Sequence, residues 1–165
     1  QCWSLDFLHD ILLNRRKFRV LDILDDFTRI NLQLDIDLSF PSRQVTRILD
    51  EIAQACGGYP DVLRVDQGPE LTALAMLQWA AERSVRLQFS EPGKPTRDAH
   101  IKRLNDRVRD KVLNFLCFRN LSEARDAADV WRKDYNHVRP HGALNGMTPI
   151  ESAKAFNKRP QFSAT

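Results

Sequence analysis

Two aspartates and a lysine carry the chemistry that this chain could do. Asp6 lies within Trp3-Ser4-Leu5-Asp6-Phe7, Asp66 follows Val62-Leu63-Arg64-Val65, and thirty-five residues separate Asp66 from Lys102. Carboxylates on rigid elements are the hard oxygen ligands that Mg2+ prefers. Two such ions together can activate a hydroxyl on one side of a phosphoryl centre and stabilise the leaving oxygen on the other. An acid in a central strand, an acid ending a neighbouring strand and a third acid on a helix beside the same sheet edge can make such a cage from rigid elements. Asp6 and Asp66 fit the first two places, and Lys102 brings an ammonium to the third. Its charge acts against a bound cation with about 4 kcal/mol per pair of unit charges at roughly 4 Å and an effective dielectric of about 20. The amine is expected to lie between the two carboxylates and donate to both. Asp98 and Asp106, four residues on either side of Lys102 and on its helical face, are the alternative third acids. A one-turn shift of ~5–6 Å counts against them.

The elements that must position these groups can be read from periodicity. Trp3, Leu5 and Phe7 alternate with polar residues, which predicts a strand carrying Asp6 near its middle. Phe18 to Leu24 reads as a second strand, and Leu32, Leu34, Ile36 and Leu38 alternate as a third, with links short enough to make all three antiparallel. Pro41 opens a helix that Gly57-Gly58 stops. The run Val62 to Val65 is a short buried strand, and the Gln67-Gly68-Pro69 turn leaves Asp66 at its carboxyl end, where open α/β sheets place their sites. A helix from about Leu71 to Arg83, a strand from Val85 to Phe89, a loop over Glu91 to Thr96 and a helix from Ala99 to about Phe115 follow, with Lys102 in that helix's first turn. A long helix near Ser122 to His137, with Ser122 and Arg125 at its start, and a short one from Thr148-Pro149-Ile150-Glu151 complete the chain.

At 165 residues with 42% hydrophobic content, one domain with its own core is expected. Net charge is only +3, but the basic residues cluster at Arg15-Arg16-Lys17, at Arg43 and Arg47, and from Arg97 through Lys111. An acidic backbone could lie along the last cluster, where Arg103, Arg107 and Lys111 share a helical stripe. Three cysteines without a C-x-x-C spacing argue against a disulfide framework, and the four histidines lack the ligand spacing of a zinc site. No run approaches the length of a membrane span and no leader opens the chain, so a soluble protein in a reducing compartment is expected. Trp79 and Trp131 read as core, and Asp25 and Asp26 as turn and strand-end residues.

Several blocks, in order, carry a resemblance: Trp3-Ser4-Leu5-Asp6-Phe7, Leu24-Asp25-Asp26-Phe27-Thr28-Arg29, Arg64-Val65-Asp66-Gln67-Gly68-Pro69-Glu70, Pro92-Gly93-Lys94-Pro95-Thr96, and the closing Trp131-Arg132-Lys133-Asp134-Tyr135-Asn136 with Arg139-Pro140-His141, Leu144 and Thr148-Pro149. Over nearly its whole length the chain resembles the catalytic core of insertion-sequence transposases related to retroviral integrases. The departure falls on Arg97-Asp98-Ala99-His100-Ile101-Lys102-Arg103-Leu104-Asn105-Asp106, where the family normally reads Q-N-A-x-I-E-x-x-N-G. Ile101 and Asn105 keep their register, so Lys102 stands in the place of the third metal-binding glutamate.

The resemblance implies an α/β, ribonuclease H-like fold: a mixed five-stranded sheet, three antiparallel strands and then two more, flanked by helices. It implies one catalytic core over 1–165, with the ribonuclease H-like part over about 1–118 and a C-terminal helical extension over about 119–165. The implied activity is DNA cleavage and strand transfer in transposition, with Asp6 and Asp66 as metal ligands, Mg2+ or Mn2+ as cofactor, and Lys102 opposing its binding. Lys94, Arg97, Arg103, Arg107, Lys111, Arg139 and His141 are the implied DNA contacts. Transposon ends and target DNA are the implied partners, in a homo-oligomer without membrane association in the bacterial cytoplasm, near the nucleoid. Impaired catalysis is the expectation. The alternatives are a non-catalytic DNA-binding or oligomerisation module and a nuclease using one metal on Asp6 and Asp66.

Overall fold

The computed structural model describes residues 1–90 and 99–157. Strands β1 (Cys2–Ile11), β2 (Lys17–Asp25) and β3 (Asn31–Asp37) form an antiparallel meander. Helix α1 (Ser42–Cys56) returns the chain to β4 (Val62–Val65), which pairs with β1 in parallel. Helices α2 (Pro69–Thr72) and α3 (Leu74–Glu82) then lead to β5 (Arg86–Phe89), parallel to β4. The sheet order is β3-β2-β1-β4-β5. Beyond it come α4 (Ala99–Val108), α5 (Leu121–His137) and α6 (Pro149–Asn157).

Strand parity divides the molecule into two cores. Trp3 and Leu5 of β1, with Leu21 and Ile23 of β2, face α1 and α3 and pack on Val45, Leu49, Met76 and Trp79. Residues of the opposite parity, Leu8, Val20 and Leu24, face α4 and α5 and pack on Ile101, Leu104, Val108 and Trp131. Period-two alternation therefore commits Ser4 and Asp6 to the α4 face, between residues that must be buried there. Gly57 ends α1 in the left-handed conformation at φ 78°, with the Gly58 amide donating to the Ala53 carbonyl at 2.9 Å, the glycine stop the sequence predicts.

Three local features differ from the sequence expectation. The helix expected from Leu71 to Arg83 breaks at Ala73, whose backbone is extended (φ −64°, ψ 149°), and Leu71 and Met76 on either side of the break are both fully buried. The helix expected to reach Phe115 is α-helical only to Val108 and continues as one π turn, Arg109–Leu113, closed by the Asn114 amide on the Arg109 carbonyl at 2.7 Å. The start of α5 is capped by Asn120, not Ser122: Asn120 Oδ1 accepts from the Glu123 amide at 3.0 Å, and Glu123 reaches back to the Arg119 amide at 2.9 Å. Asparagine is as good a cap as serine, and the reciprocal acid three residues on decides the position. Thr148 and Glu151 make the same exchange at α6.

Edge strand β3 is closed by α5 rather than left open. Arg125 donates to the Ile36 carbonyl at 2.7 Å and Arg132 to the Leu32 carbonyl at 3.0 Å. Asn136, buried, does more: its Oδ1 accepts from the Asn31 amide and its Nδ2 donates to the Asn31 carbonyl, both at 2.9 Å, as a neighbouring strand would. Asn136→Ala leaves the Asn31 amide buried and without this acceptor, at about 1–3 kcal/mol, while the Asn31 carbonyl keeps the Arg132 guanidinium at 3.2 Å. The expected result is a stability loss of about 1–3 kcal/mol with an unchanged urea m-value; a loss under about 0.5 kcal/mol would refute this role.

Candidate active site on the face covered by α4

Asp6 sits at the middle of β1 and Asp66 directly after β4, the strand paired with β1 in parallel. Sheet topology thus brings together two residues sixty positions apart. Asp6 Oδ1 accepts from the Phe7 amide at 2.8 Å, and Oδ2 accepts from Asn105 Nδ2 on α4 at 2.6 Å. Burial raises the Asp6 carboxyl to about 6; the Phe7 amide opposes this, the charge and a hydrogen bond of Asp66 add to it, and Lys102 acts weakly the other way. The Asp66 side chain is exposed at the mouth of the site.

The loop after Asp66 is tied back to the sheet. Glu70 is ion-paired with Arg19 of β2, whose guanidinium lies 4.2 Å from the centre of the Phe7 ring, the residue after Asp6. Ser42 Oγ at the head of α1 donates to the Glu70 carbonyl at 2.6 Å. The turn carrying one acid is therefore clamped to the strand carrying the other.

The expectation that the Lys102 amine would bridge the carboxylates is not met. Lys102 is exposed and makes no ion pair with Asp6 or Asp66. Exposure keeps the ammonium hydrated, and the donor on Asp6 is the neutral amide of Asn105, one turn further along α4 and buried. Asp106 is also exposed on α4, while Lys94, Arg97 and Asp98 lie outside the described residues. Among the described residues, no group of three or more His, Cys, Asp or Glu side chains is arranged to hold a metal ion.

The implied DNA contacts divide. Arg103, Arg107 and Lys111 are exposed along α4 and the π turn. Arg139 is ion-paired with Asp134 at 2.6 Å. His141 is buried, with Nδ1 against Arg107 at 3.1 Å and Nε2 against the Tyr135 carbonyl at 3.3 Å, which makes it a strut within the fold rather than a surface group. Asp25 caps its turn through the Phe27 amide at 2.9 Å, as a turn residue should, whereas Asp26 pairs with Arg64 at 2.8 Å. Trp79 and Trp131 are core.

Two members of the site were not singled out from the sequence. Asn105 could have been found from its place one turn after Lys102. Asp22, the lone acid in the apolar β2 run, is the direct cross-strand partner of Asp6 and is completely buried. Burial raises its carboxyl well above the usual range; Asn31 Nδ2 donates to it at 2.5 Å, and its second oxygen has no hydrogen-bond partner among the described residues. Counting parity from Asp6 across the meander would have found it.

A five-stranded mixed sheet of this order, with acids on the central strand and at the end of its parallel neighbour, is the ribonuclease H-like architecture of integrase catalytic cores. Two family models, both described as integrase core domain, match residues 1–95 and 83–149, and the chain belongs to that family. It is 42% identical over 153 residues to the 31.7 kDa protein of insertion element IS407 from Burkholderia multivorans, covering 93% of this chain and 55% of that one. Identity to the 39.2 kDa protein of insertion element IS476 from Xanthomonas euvesicatoria is 38% over 154 residues, covering 93% and 44%. The chain therefore spans about half the length of the curated relatives it matches. Among solved structures, the simian T-cell lymphotropic virus intasome in complex with PP2A regulatory subunit B56 gamma superposes with a TM-score of 0.77 at 17% identity, over 99% of this chain and 56% of that one. The HTLV-2 integrase catalytic core domain in complex with magnesium gives 0.70 at 13% identity, over 92% and 94%. No helix among the described residues is long and apolar enough to cross a membrane.

Because the folded carboxyl of Asp6 is raised, its stabilising contribution is present below the unfolded value near 4 and is lost as pH rises through about 6. At pH 7 the fold carries the cost of an ionised Asp6 beside Asp66. Asp66→Asn removes that repulsion at constant size. The expected outcome is an Asp6 titration displaced downward from about 6, followed by carbon NMR, and a Tm at pH 7 higher by about 2–4 °C for each kcal/mol relieved. An Asp6 titration identical in the variant would show that the two acids do not sense each other.

Proposed function

We propose that the chain is the catalytic core of an insertion-sequence transposase, built for DNA cleavage and strand transfer, in which the Lys102 position impairs catalysis. The observation that carries this reading is the meeting of Asp6 and Asp66 on one face of the sheet, while α4 presents to that face an amide at Asn105 and an ammonium at Lys102. On this reading residues 1–165 are one core domain, with about 1–118 forming the ribonuclease H-like part and about 119–165 the extension whose α5 closes β3.

The two carboxylates fit a divalent cation. Asp6 is raised by burial and by Asp66, so the pair lacks a paired counter-charge, and the Asp6 carboxylate keeps lone-pair capacity beyond the hydrogen bonds from Phe7 and Asn105. Asp6 and Asp66 would hold Mg2+ or Mn2+, which supplies Lewis acidity at a phosphodiester when bound. Asn105 orients the Asp6 carboxylate, and the Arg19–Glu70 clamp holds the Asp66 turn against it. Without an acid at position 102, a second ion has no dedicated ligand on α4.

DNA contacts fall to Arg103, Arg107 and Lys111, with Lys94 and Arg97 from the segment before α4, and Arg139 contributes where Asp134 releases it. Such phosphate contacts weaken as salt rises. Transposon ends and target DNA are the substrates of this reading, and a homo-oligomer in the bacterial cytoplasm is its working form. The second reading, a non-catalytic DNA-binding or oligomerisation module, draws on the same Lys102.

A strand-transfer and nicking assay in Mn2+ tests both. Wild type is expected to show little product, and Lys102→Glu at least tenfold more, an advantage that Asp66→Asn abolishes in the double variant. Product from wild type as abundant as from Lys102→Glu, lost on Asp106→Asn, would overturn the impairment. Absence of product from both, with DNA binding intact, would favour the non-catalytic module.

A further inference from the structure

On the flank of α4 turned away from Asp6 lies a second polar site. A cleft of about 70 Å3 is walled by Arg29 from the β2–β3 turn, by His100, Arg103 and Arg107 from α4, and by His141 from the segment after α5. That is room for roughly five waters. Among the described residues, five basic side chains line it and no carboxylate does.

Three of the walls, Arg29, Arg107 and His141, are held by hydrogen bonds. Arg29 has a left-handed backbone, φ 63°, rare for a residue with a side chain, and its guanidinium donates to the Asp26 carbonyl. The His141 ring donates from Nε2 to the Tyr135 carbonyl at 3.3 Å, which leaves Nδ1 to accept from Arg107 at 3.1 Å. That ring also packs edge-on against Tyr135 with 4.6 Å between centroids, and burial keeps it below the usual imidazole range. Arg107 is thus positioned by a neutral acceptor rather than by a carboxylate.

Arg103 has no hydrogen-bond or ion-pair partner among the described residues. The described acids whose charge reaches Arg29, Asp26 and Asp25, are hydrogen-bonded elsewhere: Asp26 to Arg64 and Ser4, Asp25 to the backbone of its own turn. Cations gathered without a counter-ion favour an anion in the space between them, and guanidinium forks match the oxygens of a phosphate.

We propose that this cleft is a phosphate subsite that takes one backbone phosphate of bound DNA, distinct from the phosphate at Asp6 and Asp66. The DNA assignment rests on the strand-transfer reading above. Asn105, which touches Asp6, and the Arg103–Arg107 pair lie on opposite flanks of α4. A helix with its side chains is about 10–12 Å across, so the phosphate held here is displaced from the reacting one by roughly that width. It fixes the angle at which the duplex crosses the sheet edge and leaves the chemistry to the acids.

Arg103 is the informative residue, since it is exposed and removing it breaks no hydrogen bond or ion pair among the described residues. Binding of a labelled duplex is followed by anisotropy against KCl concentration for wild type, Arg103→Ala, Arg103→Lys and, as a control on α1, Arg47→Ala. Inorganic phosphate is titrated in parallel into histidine-labelled protein while the His100 and His141 imidazole signals are recorded. Arg103→Ala is expected to weaken binding and to lower the log–log salt slope by about 1, with the slope kept in Arg103→Lys and in Arg47→Ala. Phosphate is expected to move the imidazole signals of wild type and not those of Arg103→Ala. A wild-type salt slope in Arg103→Ala, with imidazoles indifferent to phosphate, would overturn the subsite and leave the strand-transfer reading standing. Imidazoles that respond to phosphate in a chain that binds no duplex would overturn both the DNA assignment and that reading.

Discussion

Like charges on a half-buried sheet edge are the constraint on which the site depends. Strand parity sends Asp6 to the face that α4 must cover, and the parallel pairing of β4 with β1 brings Asp66 to the same place. Burial and the second acid raise the Asp6 carboxyl to about 6. A neutral group there would pack more stably, so the fold spends stability to hold two acids together. The surrounding contacts make sense as restraints on that arrangement: the Phe7 amide and Asn105 fix the Asp6 carboxylate, and the Arg19–Glu70 pair over Phe7 fixes the turn that carries Asp66.

Much of this was legible in the chain because it rests on short-range pattern. Alternation placed β1, β2 and β3, and the glycine pair ended α1. The two acids were recognisable because each sits in a strand block whose neighbours have to be apolar. Features set by contact between distant segments were hidden. The break at Ala73 accompanies the burial of both Leu71 and Met76, which no local propensity reports. Asn120 outcompetes Ser122 as a cap because Glu123 and Arg119 complete the exchange around it. Asp22 becomes part of the site only through its cross-strand register with Asp6. The same limit applied to Lys102: spacing puts it in the first turn of α4, but the hydration of an ammonium decides where its long side chain goes.

Helix α4 divides its labour by face. Ile101, Leu104 and Val108 bury one stripe against the sheet, and Asn105 on the margin of that stripe reaches Asp6. Arg103 and Arg107 on the other margin meet Arg29 and His141. The residues after α5 are what hold that margin, because His141 positions Arg107 and is itself held by Tyr135. Asn136, next to Tyr135, anchors the same helix to β3. The C-terminal segment thereby reaches both the edge of the sheet and the flank of α4.

The ammonium at position 102 has opposite consequences for the two states the acids can occupy. With no ion bound, Asp6 and Asp66 repel each other, and Lys102 eases the ionisation of Asp6 even from solvent. With a divalent ion bound, the same ammonium repels that ion and supplies no ligand. A glutamate would reverse both signs, worsening the empty site and stabilising the filled one. On the proposed reading, lysine at this position would shift the balance from the metal-loaded form toward the bare fold, while the sheet, the clamp at Glu70 and the basic flank of α4 are left intact. On that reading, loss of catalysis and retention of a DNA-binding surface would be compatible, because Lys102 lies on the margin of α4 that faces the acids and the arginines lie on the other.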